Sequence, residues 1–445
     1  MDRKIKKNNM TEMMALINEL WYLKRDLVSD GYDTALRRLA REVPMTIHEY
    51  PTGTPCWTWT IPEKWTCDEA FLETLEGQRI IDVKNHPLHV VSYSLPFEGV
   101  VKRNDLWPHL HTHKRLPDAI PFVFKYYDRD WGLCLPQALK DTLRDEAYKV
   151  VIRSRFEPGT LKVGEIVIPG ESERCFMLAA HLCHPAMIND DLTGCVVGLD
   201  VARMLLNGPK PFYTYRLLIL PETIGSVAYL SHHEELIPKM IGGLFLEMLG
   251  ADIPHILQHS FMPESQVDKC FAAVLENSDP PIVRKPYRDV IGNDERQFNA
   301  PGVRVPMLSI SRCIHPRTAP DYPFHEYHSS MDTPALVSQE RLDASRDLVL
   351  KMLDAWEKNR YVVNEFKGEI FCFGQKFWID AGVNKAGHRR LFDVMERCDG
   401  TRTTADIAIE LKIPFQETWA IVSLLLDRQL VRLSPKQAPT ATAKD

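Results

Sequence analysis

The chain has 445 residues with 54 Lys and Arg against 60 Asp and Glu, a net charge of −6. That length allows two or three domains, and the charge lacks the basic excess needed to coat nucleic acid or bind an anionic membrane surface. Its 10 cysteines are scattered singly with no CxxC pair, which fits free thiols in a reducing compartment and not a disulfide framework. No apolar run approaches the roughly 18 residues of a spanning helix, and the charged start is followed by an amphipathic stretch, so no membrane span or secretory signal is expected and the expected address is the cytoplasm.

From Met10 to about Arg41, the positions Met14, Ile17, Leu20 and Trp21, then Leu36, Leu39 and Ala40, recur at helical spacing on either side of the Asp30–Gly31 turn. Two helices are predicted. Between Pro44 and Pro117 short β-branched and aromatic runs such as Thr58–Ile61 and His89–Tyr93, broken by Pro and Gly, predict a small β-rich insert domain at 44–117. Ile120 to Lys358 alternates apolar strands with amphipathic helices. The expected fold class is therefore α/β, a mixed sheet with helices on both faces, built from 1–43 and 118–360.

Beyond Val362 a short β segment leads to helical periods at Arg389–Cys398, Thr404–Leu411 and Pro414–Leu426 and a last strand at Val431–Leu433. The pattern resembles a winged helix, placed at 361–434, with 435–445 as a disordered tail. Phe415–Asp427 carries no Lys or Arg, and residues 362–445 hold 12 basic and 11 acidic residues. Packing or pairing of two copies, not DNA binding, is expected of this module.

The chemistry lies where strands stop. Cys175–Ala180 is a continuous apolar run that ends at His181; Tyr215–Leu220 ends at Pro221–Glu222; Leu244–Leu246 ends at Glu247. Ligands of open α/β sheets bind outside the carboxyl ends of strands, so these three residues should converge on one crevice. Between the first two strands lie His181, Cys183, His184, Asp190 and Asp191, ahead of a helix with Val196, Leu199, Ala202 and Leu205 on one face. Asp is a favoured helix cap, but two histidines just upstream favour a metal role. Further on come Asp294, Glu295 and Arg296, then Tyr327 and His328 with Asp332 four residues later. A carboxylate so placed can fix the tautomer of a ligating imidazole.

His181 or His184, Asp190, Glu222, Glu247 and His328 offer nitrogen and oxygen without a thiolate. Such a set suits a catalytic zinc centre of one or two ions, with Asp190 bridging in the second case, better than a structural site closed by cysteine. Glu222 is the expected base, taking a proton from water and passing it to a leaving amine, so the expected reaction is hydrolysis of a peptide or amide bond in a small substrate. His109, His111 and His113 alternate like strand ligands, but with only Asp105 and Asp118 near them in sequence they are read as an exposed loop of the insert. Tyr126, Tyr127 and Trp131 are read as packing residues before a substrate cleft.

Asp190–Asp191 before Leu192–Thr193–Gly194, the strand end Phe245–Leu246–Glu247–Met248–Leu249–Gly250, and Tyr327–His328 with Asp332–Thr333 resemble the metal motifs of the co-catalytic zinc aminopeptidase family, which includes glutaminyl cyclases. Pro117–Pro121, Tyr126–Tyr127, Trp131–Leu135, Cys183–His184–Pro185, Pro221–Ser226 and Asp294–Gln297 are similar to a bacterial aminopeptidase-like group with a β-rich insert and a C-terminal winged helix, found among surface-polysaccharide genes. The resemblance implies a zinc-exopeptidase fold, with His181 as first zinc histidine, Asp190 as bridge, Glu247 as distal carboxylate and His328 as last histidine. Asp191, Asp294, Arg296, Tyr327 and Asp332 are implied as supporting or substrate-facing residues. Three positions depart from the family pattern. Its Glu–Glu pair is Pro221–Glu222 here, so either the site holds a single zinc with Glu222 as base, or Glu222 is a ligand and the base lies elsewhere, at Glu295. Cys183 replaces the carboxylate after the first histidine, which makes His184 a rival to His181. Glu247 stands where Asp is usual. The readings left open are a hydrolase, a degenerate zinc-binding or regulatory protein, and a cyclase-like acyl transferase.

Overall fold

The computed structural model describes residues 12–438. The stretches 1–11 and 439–445, the latter most of the expected tail, lie outside the described residues. The two N-terminal helices form at Glu12–Leu20 and Asp30–Leu39. Ser29 caps the second by accepting from Tyr32 N, and Tyr32, Ala35, Leu36 and Leu39 are buried beneath it.

A mixed sheet runs in the order Thr46–Pro51, Thr160–Ile168, Tyr213–Leu220, Ser172–His181, Met240–Glu247, Met307–Arg312, His255–Gln258. The four strands from Tyr213–Leu220 to Met307–Arg312 are parallel, and antiparallel strands flank them on both sides. Phe176–Ala180, Leu217–Leu220 and Leu244–Leu246 are all buried, which is why these strands read as unbroken apolar runs. Adjacent parallel strands bring their carboxyl ends to one edge. His181 stands in register with Leu220, two residues before Glu222, and Glu247 in register with Ser311.

The β-rich stretch does not close on itself. Thr46–Pro51 joins the large sheet, and the four-stranded antiparallel sheet ordered Arg79–Asp82, Lys64–Glu73, Ala147–Glu157, Phe97–Lys102 takes its third strand from beyond 117. Without Ala147–Glu157, the hairpin from Lys64 to Asp82 would lack the partner along which it buries Trp65, Ala70, Phe71 and Leu72, and an isolated hairpin is marginal in water.

The chain divides into two compact units, one holding the residues up to Phe261 with Lys285–Asp347, the other Met262–Arg284 with the residues from Leu348 onward. In the second, an antiparallel sheet ordered Asp399–Thr403, Tyr361–Asn364, Val431–Ser434 accompanies helices Lys385–Met395, Thr404–Leu411 and Phe415–Asp427. Val362, Leu391, Val394, Ile407, Val422, Leu425 and Val431 form its core. Thr403 and Asp406 make a reciprocal cap for the middle helix. The helix Gln266–Leu275, expected in the α/β domain, belongs to this unit: Gln266 donates to Asp406 Oδ2 at 3.1 Å and accepts from Thr403 Oγ1 at 3.0 Å. Among the described residues no helix is long and apolar enough to cross a membrane.

Glu165 ties three elements of the first unit together. It is 6% exposed and accepts from His48 Nε2 (2.8 Å), Arg216 Nη1 (2.5 Å) and Tyr229 Oη (2.6 Å), the last on the helix Ile224–His232 that starts two residues after Glu222. Burial raises its pKa, but the three donors reverse this and hold it at about 2 against an ordinary 4.5. A carboxyl depressed on folding stabilises the protein above its unfolded pKa and ceases to do so as pH falls through the folded one. Stability of about 3 kcal/mol is therefore expected to be lost between roughly pH 4.5 and pH 2. Glu165→Gln should lower the neutral-pH denaturant midpoint and flatten that acid slope; an unchanged slope would remove Glu165 from this role.

Candidate metal centre

Asp190 is the hub. Its Oδ1 lies 3.1 Å from His181 Nε2 and 3.7 Å from His184 Nδ1, and its Oδ2 lies 3.0 Å from His328 Nε2. One donor atom from each of His181, Asp190 and Glu247 falls within 4.8 Å of the others, and the same holds for His184, Asp190 and His328, and for His181, Cys183 and His184. Glu222 Oε2 is 3.5 Å from His184 Nε2, and its side chain is 30% exposed. The strand ends thus deliver His181, Glu222 and Glu247 to one place.

Backbone clamps fix these positions. Asp191 accepts from Met248 N (2.8 Å), Gly194 N (3.0 Å) and His181 N (3.2 Å), joining two strand ends to the start of the helix Leu192–Asn207. Gly194 has to be glycine, because a Cβ there would meet both Asp191 oxygens and Leu246 O at 2.5 Å. Asp332 accepts from Asn189 N (2.9 Å) and Asp190 N (3.2 Å), and Asn189 Oδ1 accepts from Gly250 N and Ala251 N. Arg25, fully buried, donates to the carbonyls of Leu182 (3.1 Å), His184 (2.6 Å) and Met187 (2.7 Å) and so braces the loop between the histidines and Asp190.

Aromatic rings hold the imidazoles. Phe122 meets His184 and His328 edge-on at 5.0 and 5.3 Å, and Tyr327 stacks on His328 at 3.9 Å with 14° between the planes. His328 has φ of 54° and Thr223, next to Glu222, has φ of 63°. Non-glycine residues held in this region are strained, and such strain collects where a side chain must be aimed.

The electrostatics are those of a site built around positive charge. Burial drives the Asp190 carboxyl up, but His184, His181 and His328 outweigh it and hold the group well below the usual range. Burial, reinforced by the facing Glu295, drives Glu247 well up. Burial, helped by the neighbouring His181, His328 and Arg25 and opposed by Asp190, pushes His184 well down, which favours its neutral form. His181 Nδ1 and Nε2, His184 Nδ1, Asp190 Oδ2, Glu247 Oε2 and His328 Nε2 are buried with no hydrogen-bond partner among the described residues. Buried polar atoms are seldom left so, and each costs stability unless something binds it. Nitrogen and oxygen donors in this number fit a zinc-type ion.

The sequence candidates sort unevenly. Glu295 is fully buried; its oxygens accept from Asn293 N (2.8 Å) and Gln258 Nε2 (3.3 Å), and burial raises its pKa to about 7. Asp294 accepts from Thr223 N (2.9 Å) and Ser226 Oγ, so it anchors the turn after Glu222. Arg296 turns back to Asn293 O at 2.9 Å. Cys183 Sγ accepts from Glu222 N at 3.1 Å. Sequence reasoning missed Asn293, whose Nδ2 donates to Glu247 Oε1 at 2.6 Å; its place beside Asp294 was the available signal. Arg25 carried no local signal. The alternating histidines do not gather: His109 stacks on Trp131 at 3.9 Å, and His113 Nδ1 accepts from Arg115 N and Leu116 N.

Residues 14–359 match the family model described as domain of unknown function DUF4910. The chain belongs to that family. It is 31% identical over 427 residues to a Clostridium acetobutylicum protein provisionally named a polysaccharide biosynthesis protein with an aminopeptidase-like domain, covering 95% of this chain and 96% of that one. A crystal structure from Clostridium acetobutylicum, provisionally titled a peptidase, is similar with a TM-score of 0.84, 30% identity and 96% coverage of both chains. A zinc aminopeptidase from Bacillus subtilis shares the fold at 13% identity, with a TM-score of 0.56 over 77% of this chain and 94% of that one. The DUF4910 chain therefore has the mixed α/β aminopeptidase fold that its motifs resemble.

Asp332 touches the centre only through the Asn189 and Asp190 amides. Asp332→Ala is expected to leave the protein folded while weakening zinc binding by about 10- to 100-fold, as for other groups that orient ligands. Competition with a chromophoric chelator measures this, and an unaltered affinity would rule the role out.

Proposed function

We propose that the protein is a zinc-dependent hydrolase that cleaves a peptide or amide bond, with a small substrate such as an amide-bearing sugar or a cell-surface precursor. The observation that carries this reading is the convergence on Asp190 of three imidazoles with buried, unpartnered ring nitrogens, with a partly exposed carboxylate, Glu222, at the rim. The name of the Clostridium acetobutylicum relative supports the sugar-related substrate.

In this reading His181, His184, Asp190, Glu247 and His328 hold the metal. A divalent ion bound there lowers the pKa of water and polarises a carbonyl. Glu222 accepts the proton of the attacking water and delivers it to the leaving amine. Its backbone N–H rests on Cys183 and the following turn on Asp294, so the base is held from both sides. Glu295, occupied by Asn293 and Gln258, positions the partner of Glu247 and leaves proton transfer to Glu222. Asn293 keeps one Glu247 oxygen in place while the other remains free of protein donors among the described residues.

The C-terminal unit is proposed to be a winged-helix module that serves packing or self-association, since Phe415–Asp427 has no basic residue to meet phosphate. Ten free, buried cysteines support a reducing, cytoplasmic setting.

Zinc-loaded protein assayed on a panel of aminoacyl amides, short peptides and N-acylated amino sugars should release amine or acid from at least one class. Glu222→Gln should reduce the rate by about 100-fold or more while the protein stays folded and zinc-loaded. A zinc-loaded protein inert on the whole panel would favour the reading of a scaffold that binds without catalysing. Activity that survives Glu222→Gln would move the base elsewhere.

A further inference from the structure

We infer that Phe124 is a stacking subsite for the sugar ring of the substrate, set beside the metal centre, and that Tyr126 holds it in place from behind. This rests on the hydrolase reading above and deepens it by naming what lies next to the scissile amide.

A row of aromatic rings leads away from the imidazoles. Phe122, which abuts His184 and His328, lies 5.6 Å from Phe124, and Phe124 lies 4.4 Å from Tyr126. The three alternate along the chain, so an extended backbone brings them to one face. That backbone is pinned along its length: Phe122 N donates to His328 O at 2.8 Å, Ser92 N to Val123 O at 2.9 Å and Lys125 N to Ser92 O at 2.9 Å. The row is thus tied through its first residue to the main chain of His328.

Exposure rises along the row, from 6% at Phe122 to 44% at Phe124. A single exposed phenyl means little on a protein surface. One that continues a fixed row of rings out of a cluster of polar donors has the make-up of a ligand site. Tyr126 covers one face of Phe124 with 15° between the planes, whereas Phe122 is tilted from it by 42°. What Phe124 exposes is therefore its other face and its rim, on the side that leads back to the imidazoles. Burial, with Cys183, Asp26 and Glu222 close by, holds the Tyr126 phenol well above its ordinary range, so it stays protonated and able to donate. The row runs past the proposed base.

A pyranose ring has flat C–H faces and a rim of hydroxyls, and it is held by an aromatic face with polar groups at the edge. Both are present. Tyr126 also lines a recess of about 300 Å³ with Tyr93, Tyr127, Glu63 and Arg129, in which Glu63 and Arg129 form an ion pair at the surface. An apolar amino-acid side chain would be better served by an enclosed pocket free of charge. Trp131 is not part of the row, being sandwiched between Phe97 at 4.3 Å and His109 at 3.9 Å. Stacking on Phe124 is remote from the bond that breaks, and binding energy of that kind serves to orient the amide toward Glu222.

Saturation-transfer NMR on the zinc-loaded full-length protein, with its aromatic protons irradiated, tests this. The sugar probes are N-acetylglucosamine, N-acetylgalactosamine and N-acetylmannosamine, and phenylalaninamide stands for an amino-acid side chain. Ring C–H protons of at least one sugar should receive saturation. Phe124→Ala should weaken that binding by about 10-fold and Phe124→Trp should restore it, with zinc content and circular dichroism as in wild type. The restoring variant keeps the test decisive should the alanine variant fold poorly. No transfer to any of the three sugars overturns the inference, as does sugar binding unaltered in Phe124→Ala, or phenylalaninamide binding more tightly than the sugars and losing as much in that variant. Sugar binding that depends on Phe124 without any hydrolysis would sink only the proposed reaction, whereas amide hydrolysis by a protein whose sugar binding ignores Phe124 would sink this inference alone.

Discussion

The carboxylate of Asp191 is the interaction on which the centre depends. With two oxygens it takes the backbone N–H groups of His181, Gly194 and Met248, and so sets the spacing between two strand ends and a helix start. His181 and Glu247 can face a common point only because their main chains are tied to the same acid. A hydrogen bond from a backbone amide to a buried carboxylate is stronger than one between neutral groups and cannot be exchanged for water in the interior. Gly194 is part of the same constraint, since no side chain fits between that carboxylate and Leu246.

The proposed ligands are each held in a different way. His181 ends a strand, Asp190 is fixed through Asp332, His184 is braced by Arg25 and Phe122, and His328 is stacked on Tyr327 in a strained backbone conformation. Glu222 is the least confined member, at the exposed rim and held only through its amide and the turn behind it. In the proposed reaction this division suits the roles: the residues proposed to hold the ion are packed in place, and the proposed proton carrier is the one with room at the surface.

Much of this was legible in the sequence because parallel strands buried on both faces announce themselves as apolar runs, and the residue that ends each run is exposed by contrast. His181, Glu222 and Glu247 were found that way. The choice between His181 and His184 was not legible, since both rings reach the same Asp190 oxygen, and the path of the loop that brings them there is set by distant contacts such as Arg25. Asn293 escaped because an amide carries no charge to mark it. The boundaries of the β-rich stretch and the transfer of Gln266–Leu275 to the C-terminal unit escaped for a related reason. A strand's neighbour, and a helix's partner, depend on pairings many residues away, such as Lys64–Glu73 with Ala147–Glu157 and Gln266 with Asp406, that leave no trace in local periodicity.

The brace from Arg25 makes the histidine loop depend on a segment distant in sequence. The guanidinium lies 159 residues upstream of the His184 carbonyl it holds, in the segment joining the first two helices. A chain shortened past this point keeps every proposed ligand and every strand of the parallel core, yet three carbonyls of the histidine loop lose their donor. The segment between the first two helices thus acts as an internal splint for a loop that lies far along the chain.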